Sequence, residues 1–470
     1  MYTYQDFLER TQSDDLKMEF VLSAITNYRA DDLYKTARLG DEYDRHRNRT
    51  IVEFQKLLYT VTGKAIPDNF SANYKLASGF FGRFTSQQNQ YLLGNGVTWS
   101  EDSTAEKLGK DFDTQLQKAG KKALVCGVSY GFFNLDHLEV FSALEFVPLY
   151  DEENGALMAG VRFWQLSPLK PLRATLYELD GYTEYIWRDG EGEILKPKRA
   201  YKVAYKKSEA DGVEIYDQSN YDGFPIVPLW GNPNHQSEIV GLREQIDCYD
   251  LIKSGFANTV DEASYVYWAI QNGGGMDDVD LAQFVERMKT VHAAIVDGEG
   301  ASAQAHNIEA PYASREALLD RLRRDMYEDY RALDMRDLAS GAATATQIRA
   351  SYEPMDNKAD EYEYCVIEFI QGILKLAGVE DDPVFTRSAV INKQEEIQNI
   401  LTAATYLDAE YVTRKVLDVF GDGDLADAVL ERKEAENAER MAAMMGAATG
   451  GTGGHEEPEE GEEEEEPVNE

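Results

Sequence analysis

The residues from Phe224 to Gly378 follow an order that strongly restricts the fold. Phe224-Pro-Ile-Val-Pro reads as an extended lead-in, because each proline fixes its own φ and biases the residue before it away from helix. A long helix is expected from about Ser237, with apolar positions at Ile239, Leu242, Ile246, Tyr249, Phe256 and Val260; only Lys253 interrupts the three-four spacing. A small β/α insert follows. It has a strand at Tyr265-Val-Tyr-Trp-Ala-Ile, a glycine turn at Gly273, a short helix near Asp280 to Met288, and strands near 291–296 and 303–308. A returning helix from Ser314 presents Leu318, Leu322, Met326 and Leu333. The small-residue loop Ala339-Ser-Gly-Ala-Ala then leads into a last, very long helix. Two helices bracketing a module, then a loop, then a long helix, is not the order of a common enzyme fold.

The last helix carries Ile348, Tyr352, Met355, Ala359, Tyr362, Val366, Phe369, Ile373 and Leu376, an unbroken alternation of four and three. One face is therefore apolar along ~40 Å at 1.5 Å per residue. Pro354 removes one ladder hydrogen bond and predicts a kink. Such a stripe is a core or a coiled-coil seam, and another copy of the same helix in a ring is one candidate for what covers it.

Upstream, residues 1 to about 62 read as helical, with Ile51, Phe54, Leu57 and Leu58 at helical spacing. Pro67-Asp-Asn is a break. A helix is expected from about Asn73 to Leu93, stopping at Gly94-Asn-Gly, and another over Thr104 to Ala119. From Ala123 to about Leu229 the texture is one of strands. Lys122-Ala-Leu-Val-Cys, Phe132-Phe-Asn-Leu-Asp, Ala159-Gly-Val-Arg-Phe-Trp, Arg173-Ala-Thr-Leu-Tyr, Thr183-Glu-Tyr-Ile-Trp and Ala200-Tyr-Lys-Val-Ala-Tyr predict one antiparallel β domain. Residues 385 to about 445 read as helical. Beyond Met445 a Gly/Thr/Ala stretch and a Glu run predict a disordered acidic tail.

With 470 residues, 43% hydrophobic and 11% aromatic, the chain is long enough for two to four domains and a substantial core. The net charge is -38, and ten of those charges fall between His455 and Glu470, so the body is acidic too. Duplex binders neutralise phosphates with Lys and Arg, so this balance excludes an ordinary DNA-binding domain; it leaves open a passage through which DNA slides. The three cysteines, Cys126, Cys248 and Cys365, show neither metal-ligand spacing nor a disulfide framework, which points to a reducing compartment. Met1-Tyr-Thr-Tyr-Gln-Asp does not read as a signal peptide. No apolar run approaches the ~18 residues of a membrane span, so no membrane partner is expected.

Gly127-Val-Ser-Tyr-Gly matches G-x-S-x-G, which would make Ser129 a hydrolase nucleophile. That elbow needs a strand before it and a helix after it, whereas Phe132-Phe-Asn-Leu-Asp is strand-like, so a glycine-flanked turn in a hairpin is expected instead. Gly109-Lys110 and Gly120-Lys121 lack the Walker A frame, so ATP hydrolysis is not expected. Asp418, Asp422, Asp424 and Asp427 around Gly421 and Gly423 have the wrong spacing for an EF-hand and read as a helix-to-helix turn. The six histidines form no i, i+4 pair. No cofactor, metal or catalytic residue is expected.

Several of these segments together resemble the portal (connector) proteins of tailed bacteriophages, of the type found in siphophages of Gram-positive hosts. Asn73-Tyr-Lys-Leu with Tyr91-Leu-Leu-Gly-Asn-Gly-Val is similar to that family's Asn-rich helix and turn, and Gly127-Val-Ser-Tyr-Gly to its first hairpin. Phe224-Pro-Ile-Val-Pro-Leu-Trp, Gln245-Ile-Asp-Cys-Tyr-Asp and Ser254 resemble its first stem segment. Ser340-Gly-Ala followed by Asp356-Asn-Lys-Ala resembles its tunnel loop and following helix. Trp230-Gly-Asn-Pro departs from the usual paired asparagines, and the segment after residue 380 is short.

The resemblance implies an α+β architecture: a wing over 1–233, β-rich from about 123; stem helices over 234–262 and 312–332; a small α/β clip over 263–311; a tunnel loop over 333–343; a long kinked inner-wing helix over 344–380; a helical crown over 381–445; and an acidic tail over 446–470. It also implies a dodecameric ring at one capsid vertex, assembled in the host cytoplasm. Terminase large subunit, head-completion or adaptor proteins, and capsid and scaffolding proteins would be its partners, and double-stranded DNA would pass through it. Asp334, Arg336, Asp337, Ser340 and Gly341 are the expected DNA-facing positions. Tyr265, Tyr267 and Trp268 are the expected clip contacts. Ile239, Leu242, Ile246, Leu318, Leu322, Tyr352, Tyr362 and Phe369 are the expected packing positions. Two other readings stay open on the residues: a ring-shaped adaptor without DNA passage, and a hydrolase centred on Ser129.

Overall fold

The computed structural model describes residues 1–59, 63–69, 71–208, 212–262, 312–336, 345–388 and 393–449, with scattered residues between 267 and 306. Two units emerge, divided after Ser388. In the first, α1 (Tyr4–Arg10), α2 (Asp14–Ala30), α3 (Asp32–Asp44) and α4 (Arg49–Glu53) form the N-terminal helices. Thr3 and Asp6 close a reciprocal capping box at the start of α1. Ser13 and Asp31 cap α2 and α3, which satisfies donors a helix end leaves bare. The helical reading ends too late here: Leu57 and Leu58 lie in a hairpin of β1 (Leu57–Tyr59) and β2 (Ala65–Pro67). Their spacing fitted a helix, but Phe54 and Leu57, which such a helix would bury on its apolar face, are exposed.

Next come α5 (Phe80–Leu93), β3 (Val97–Thr98), α6 (Asp102–Leu108) and α7 (Phe112–Cys126). The helix expected over Thr104 to Ala119 is two, because Gly109 at φ +89° breaks it. Lys122 to Cys126, read as a strand, is the last turn of α7. Ala119, Ala123, Leu124, Val125 and Cys126 are buried, and an apolar run on a buried helix end looks like a strand in sequence.

The β-rich part contains β4 (Val128–Asn134), β5 (His137–Ser142), β6 (Phe146–Tyr150), β7 (Leu157–Trp164), β8 (Leu172–Glu178), β9 (Gly181–Arg188), β10 (Glu191–Arg199), β11 (Lys202–Ser208), β12 (Gly212–Ser219) and β13 (Ile226–Trp230). It is antiparallel as expected but divides into three sheets: a meander ordered β10-β9-β8-β7-β6, a sheet ordered β13-β4-β5, and the hairpin β11-β12. Asp189 and Gly190, both at positive φ, make the tight turn from β9 to β10. One face of the meander buries Val147, Val161, Leu176 and Tyr185 against Phe7, Phe20, Val21 and Tyr28 of α1 and α2.

Next come α8 (Arg243–Glu262), the hairpin β14 (Tyr267–Gln271) with β15 (Ser302–His306), and α9 (Tyr312–Tyr330). The helix expected from about Ser237 starts later than the spacing suggests. Gly241 sits at φ +90°, Ile239 and Leu242 are buried in a lead-in of turns, and Ile246 and Tyr249 pack from the helix itself. On α9, Leu318 is exposed and Leu322 half-buried, whereas Met326, Tyr327 and Tyr330 are buried; only the end of α9 nearest the body meets a core.

The long helix, α10 (Ala345–Ala377), is a single run of 33 residues through Pro354. Its apolar stripe is not left for another copy: Tyr352, Met355, Ala359, Tyr362, Val366, Phe369 and Ile373 are all buried within this subunit. β4 explains how. Ser129, Gly131 and Phe133 point to one face, and Phe369 lies where a side chain on Gly131 would be, 2.5 Å from an ideal Cβ. Tyr130 and Phe132 point to the other face, against Phe146 and Tyr177. Gly120 of α7 gives Tyr362 the same close approach. β16 (Val384–Phe385) then pairs with β3.

The second unit contains α11 (Lys393–Ala403), α12 (Ala409–Phe420) and α13 (Ala426–Thr449). Asp408 caps α12, and Gly421 at φ +90° ends it, with Asp422 N–H donating to Leu417 O at 2.9 Å. The aspartate cluster is thus the helix-to-helix turn its spacing suggested.

Gly131→Ala should lower stability by about 1–3 kcal/mol, since Phe369 is fully buried and has no room to retreat. In a Phe369→Leu background the same change should cost less than it does in the wild type, so that the double variant loses less than the sum of the two single changes. Additive unfolding free energies in that double-mutant cycle would show that the close approach is not what forbids a side chain.

Candidate functional site

The connector between α9 and α10 is the part of the chain on which the sequence placed most function. α9 stops at Arg331, a non-glycine residue at φ +60°, with Ala332 N–H donating to Tyr327 O at 2.9 Å. Leu333 is buried with Tyr91, Tyr352, Met355 and Ala359, and its carbonyl accepts from Gln87 Nε2 at 3.1 Å. Asp334, expected to face DNA, is instead turned inward. Its carboxylate pairs with Arg323 at 2.6 Å, both side chains are largely shielded, and the Arg323 guanidinium lies over the Tyr327 ring. The short charge-assisted pair to Arg323 ties the connector to α9 through Asp334. Arg336 is exposed. Asp337, Ser340 and Gly341 lie outside the described residues, as does Tyr265 of the clip; Tyr267 and Trp268 sit in β14 opposite His306 and Ala305.

Behind the connector, four segments meet at Lys358 of α10. Its ammonium reaches Glu238 Oε2 at 2.6 Å and lies 3.4 Å from the centre of the Tyr330 ring. Asn232 donates to Glu238 Oε1 at 2.8 Å, and the Tyr330 hydroxyl donates to Gln88 Oε1 at 2.6 Å. Burial pushes the Lys358 pKa below its ordinary value, while Glu238 opposes the shift. The lead-in, the end of α9, α10 and α5 are thereby fixed to one another.

A second joint lies along α8 and was not anticipated. Residues 73–79, expected as the first turns of α5, are extended, and three alternate backbone N–H groups donate to three side chains one helical turn apart. Ser78 N donates to Asp250 Oδ1 at 2.9 Å, Leu76 N to Ser254 Oγ at 3.0 Å, and Tyr74 N to Asn258 Oδ1 at 2.7 Å. The match is geometric: two residues of extended chain advance ~6.6 Å, and four residues of helix advance ~6.0 Å. Asp247 extends the stripe, accepting from Tyr43 Oη at 2.5 Å and Thr50 Oγ1 at 2.7 Å. The signal was present as polar residues at three-four spacing between the apolar positions of the same helix. Asp250 is fully buried, accepts also from Asn48 Nδ2, and burial raises its pKa above the ordinary carboxylate value.

Ser129 has no catalytic setting. It is fully buried, and its hydroxyl donates to Ala119 O at 2.8 Å. The motif is preceded by a helix and followed by a strand, the reverse of a nucleophile elbow; Gly127 at φ +91° caps α7 rather than forming a hairpin turn. Among the described residues, no cluster of His, Cys, Asp and Glu could hold a metal ion, and no helix is long and apolar enough to cross a membrane.

The sequence matches the family described as phage portal protein, SPP1 Gp6-like, over residues 30–443. It belongs to that family. The portal protein of Clostridium phage phiCD119 is 23% identical over 361 residues, covering 69% of this chain and 77% of that protein. The portal protein of Bacillus phage SPP1 is 22% identical over 385 residues, covering 75% and 74%. A chain from the neck of an empty GTA particle aligns over 71% of this chain and 88% of its own, at 10% identity and a TM-score of 0.43, too distant to carry an argument. Family membership makes this a structural, non-enzymatic protein with a portal role in virion particles.

Asp250→Ala should destabilise the portal subunit by about 2 kcal/mol, because Ser78 N–H and the Asn48 amide lose a buried acceptor. The pH dependence follows from the raised carboxyl value. The contribution of Asp250 is most favourable below its unfolded pKa of ~4 and is lost as pH rises through the folded one. Subtracting Asp250→Asn from wild type in denaturant unfolding should therefore give a difference that declines with pH from about 4 upward and then levels. A difference that grows with pH would contradict the assignment.

Proposed function

We propose that this protein forms a twelve-membered ring at one capsid vertex, through which double-stranded DNA enters during packaging and leaves at ejection. The observation that carries the reading is the family match across residues 30–443. In this reading the terminase large subunit docks during packaging and supplies the ATPase, consistent with the missing Walker A frame. Head-completion or adaptor proteins then bind the clip, with β14, Tyr267 and Trp268, and Tyr265 beside them, as the contact region. Capsid and scaffolding proteins surround the wing. Host cytoplasm is the place of assembly.

The acidity fits a channel that does not grip. A bore lined with Lys and Arg would hold phosphates by releasing their counterions, whereas a net charge of -38 per subunit gives a repulsive track. Packaged phosphates bring their own cations, so the repulsion is screened within about 8 Å. Arg336, Asp337, Ser340 and Gly341 remain the proposed DNA-facing positions, on a connector tied to the body by Leu333 and Asp334. The stem helices and α10 transmit its position through the Lys358 junction.

Electron microscopy of the purified protein should show rings of about twelve-fold symmetry with a central hole wide enough for a duplex of ~20 Å. Deleting Ala339 to Ala343 should leave those rings intact and reduce packaging of DNA into heads severalfold. Rings with a hole too narrow for duplex would favour an adaptor without DNA passage, and unimpaired packaging would remove the loop from the mechanism.

A further inference from the structure

α10 buries its apolar stripe inside the subunit, so what it leaves uncovered is the opposite side. There Glu353, Asn357, Asp360, Tyr364, Glu368 and Gln371 are exposed in one line over ~27 Å. The line is acidic, and Tyr364 in its middle is 73% exposed. Neither Glu353 nor Glu368 has an ion-pair partner among the described residues, and Asp360 is held by Arg387 at the edge of the line.

A second uncovered face has the opposite character. Val52, Phe54, Leu57, Ile66, Tyr74 and Leu76 are each 36–50% exposed. Internal contacts hold them in one neighbourhood: Leu58 pairs with Ile66 in the hairpin, and Lys75 Nζ donates to Val52 O at 2.5 Å. The polar stripe of α8 fixes Tyr74 and Leu76 in place. Of the Lys and Arg in residues 45–76, Arg45 and Arg49 are paired with Asp41 and Glu42, and Lys75, beside Tyr74 and Leu76, is exposed. Arg47 is exposed and has no ion-pair partner among the described residues. Clustered apolar side chains with a basic rim mark a contact surface rather than a solvated one.

We infer that these two faces bind each other between neighbouring copies of this chain: the basic, apolar face around Val52 and Tyr74 of one subunit seats on the acidic outer line of α10 of the next. Charge complementarity selects the occupant: Glu353 and Glu368 on the α10 line and Arg47 on the apolar face have no ion-pair partner among the described residues, and Lys75 adds a second exposed cation to that face. Two different surfaces in contact make a head-to-tail interface, which closes into a ring when the rotation allows. The inference rests on the ring reading above and adds which surfaces form the joint.

Charge reversal tests it. Arg47→Glu with Lys75→Glu places two acidic faces together, and Glu353→Lys with Glu368→Lys places two basic ones together. Each double variant alone should lose ring assembly more than tenfold at low salt, read by sedimentation and native mass spectrometry. Mixing the two should restore rings in which the variants alternate, because every joint then pairs opposite charges. Independently, zero-length carbodiimide coupling of wild-type rings built from mixed isotope-labelled and unlabelled subunits should link a lysine of residues 45–76 to an α10 carboxylate across subunits. Wild-type rings with unaffected variants, with no rescue on mixing, or with no such link would overturn the inference and leave the ring reading standing. Absence of rings in the wild type would sink both.

Discussion

The subunit depends on the burial of the α10 stripe against its own sheet. Val366, Phe369, Ile370 and Ile373 lose essentially all contact with water, and at roughly 25 cal/mol per Å² such side chains are worth about 2 kcal/mol each. That contact forces Gly131 and Gly120 to be glycine. It fixes which side of α10 meets solvent, and it fixes where the helix begins relative to Leu333. The connector, the Lys358 junction and the outer acidic line all inherit their positions from this one packing decision. Because α7, β4 and α10 interdigitate at glycine positions, the register along the helix is set to within a side chain; a slip would drive Phe369 into the backbone.

α8 shows a different way to fix register. Apolar contacts alone tolerate sliding, since one methylene is much like the next. Asp247, Asp250, Ser254 and Asn258 instead present acceptors at discrete heights, each to a specific donor of Tyr43, Thr50 or the extended segment 74–78. Shifting the segment by one residue would point carbonyls at those acceptors. A buried carboxylate without a basic partner among the described residues is costly, and Asp250 tolerates it because Ser78 N–H and the Asn48 amide both donate to it. The segment 74–78 is therefore keyed onto α8 by polar matching, while the end of α9 is held by aromatic packing of Phe84, Tyr327 and Tyr330.

These two joints explain what was legible in the sequence. The α10 stripe could be read because burial on one helix face leaves a periodic signature; the identity of what covers it could not, since a neighbouring copy and an intramolecular sheet demand the same pattern. In the meander β7, β8 and β9 were visible from alternation, but β6 and β10 were missed, as were β5 and β12 outside it; β4 is buried on both faces, so alternation fails there. Residues 73–79 were read as helix because nothing local says otherwise; their extended form is imposed by acceptors 172 to 184 positions away. Asp334 was assigned to the lumen because a charged residue beside a small-residue loop looks free. Its partner, Arg323, lies eleven residues earlier, across the bend that Arg331 makes. Leu318 fitted the apolar spacing of α9, yet that helix leaves the body before reaching it.

The charge of the chain constrains assembly as well as passage. Subunits of net charge -38 repel one another in bulk, but at physiological salt charges separated by more than about 8 Å are largely screened. What decides whether two such copies associate is then the composition of the touching faces rather than the total. An all-acidic surface would leave no favourable contact at short range. Arg47 and Lys75 offer cations at one such face, and Lys75 sits on the segment keyed to α8, where the polar stripe ties down the backbone at Tyr74 and Leu76. A surface fixed in this way loses little conformational freedom on contact, so even a modest apolar area can count toward association. The same stripe that sets the register of segment 74–78 on α8 thereby prepares the face through which one subunit would meet the next.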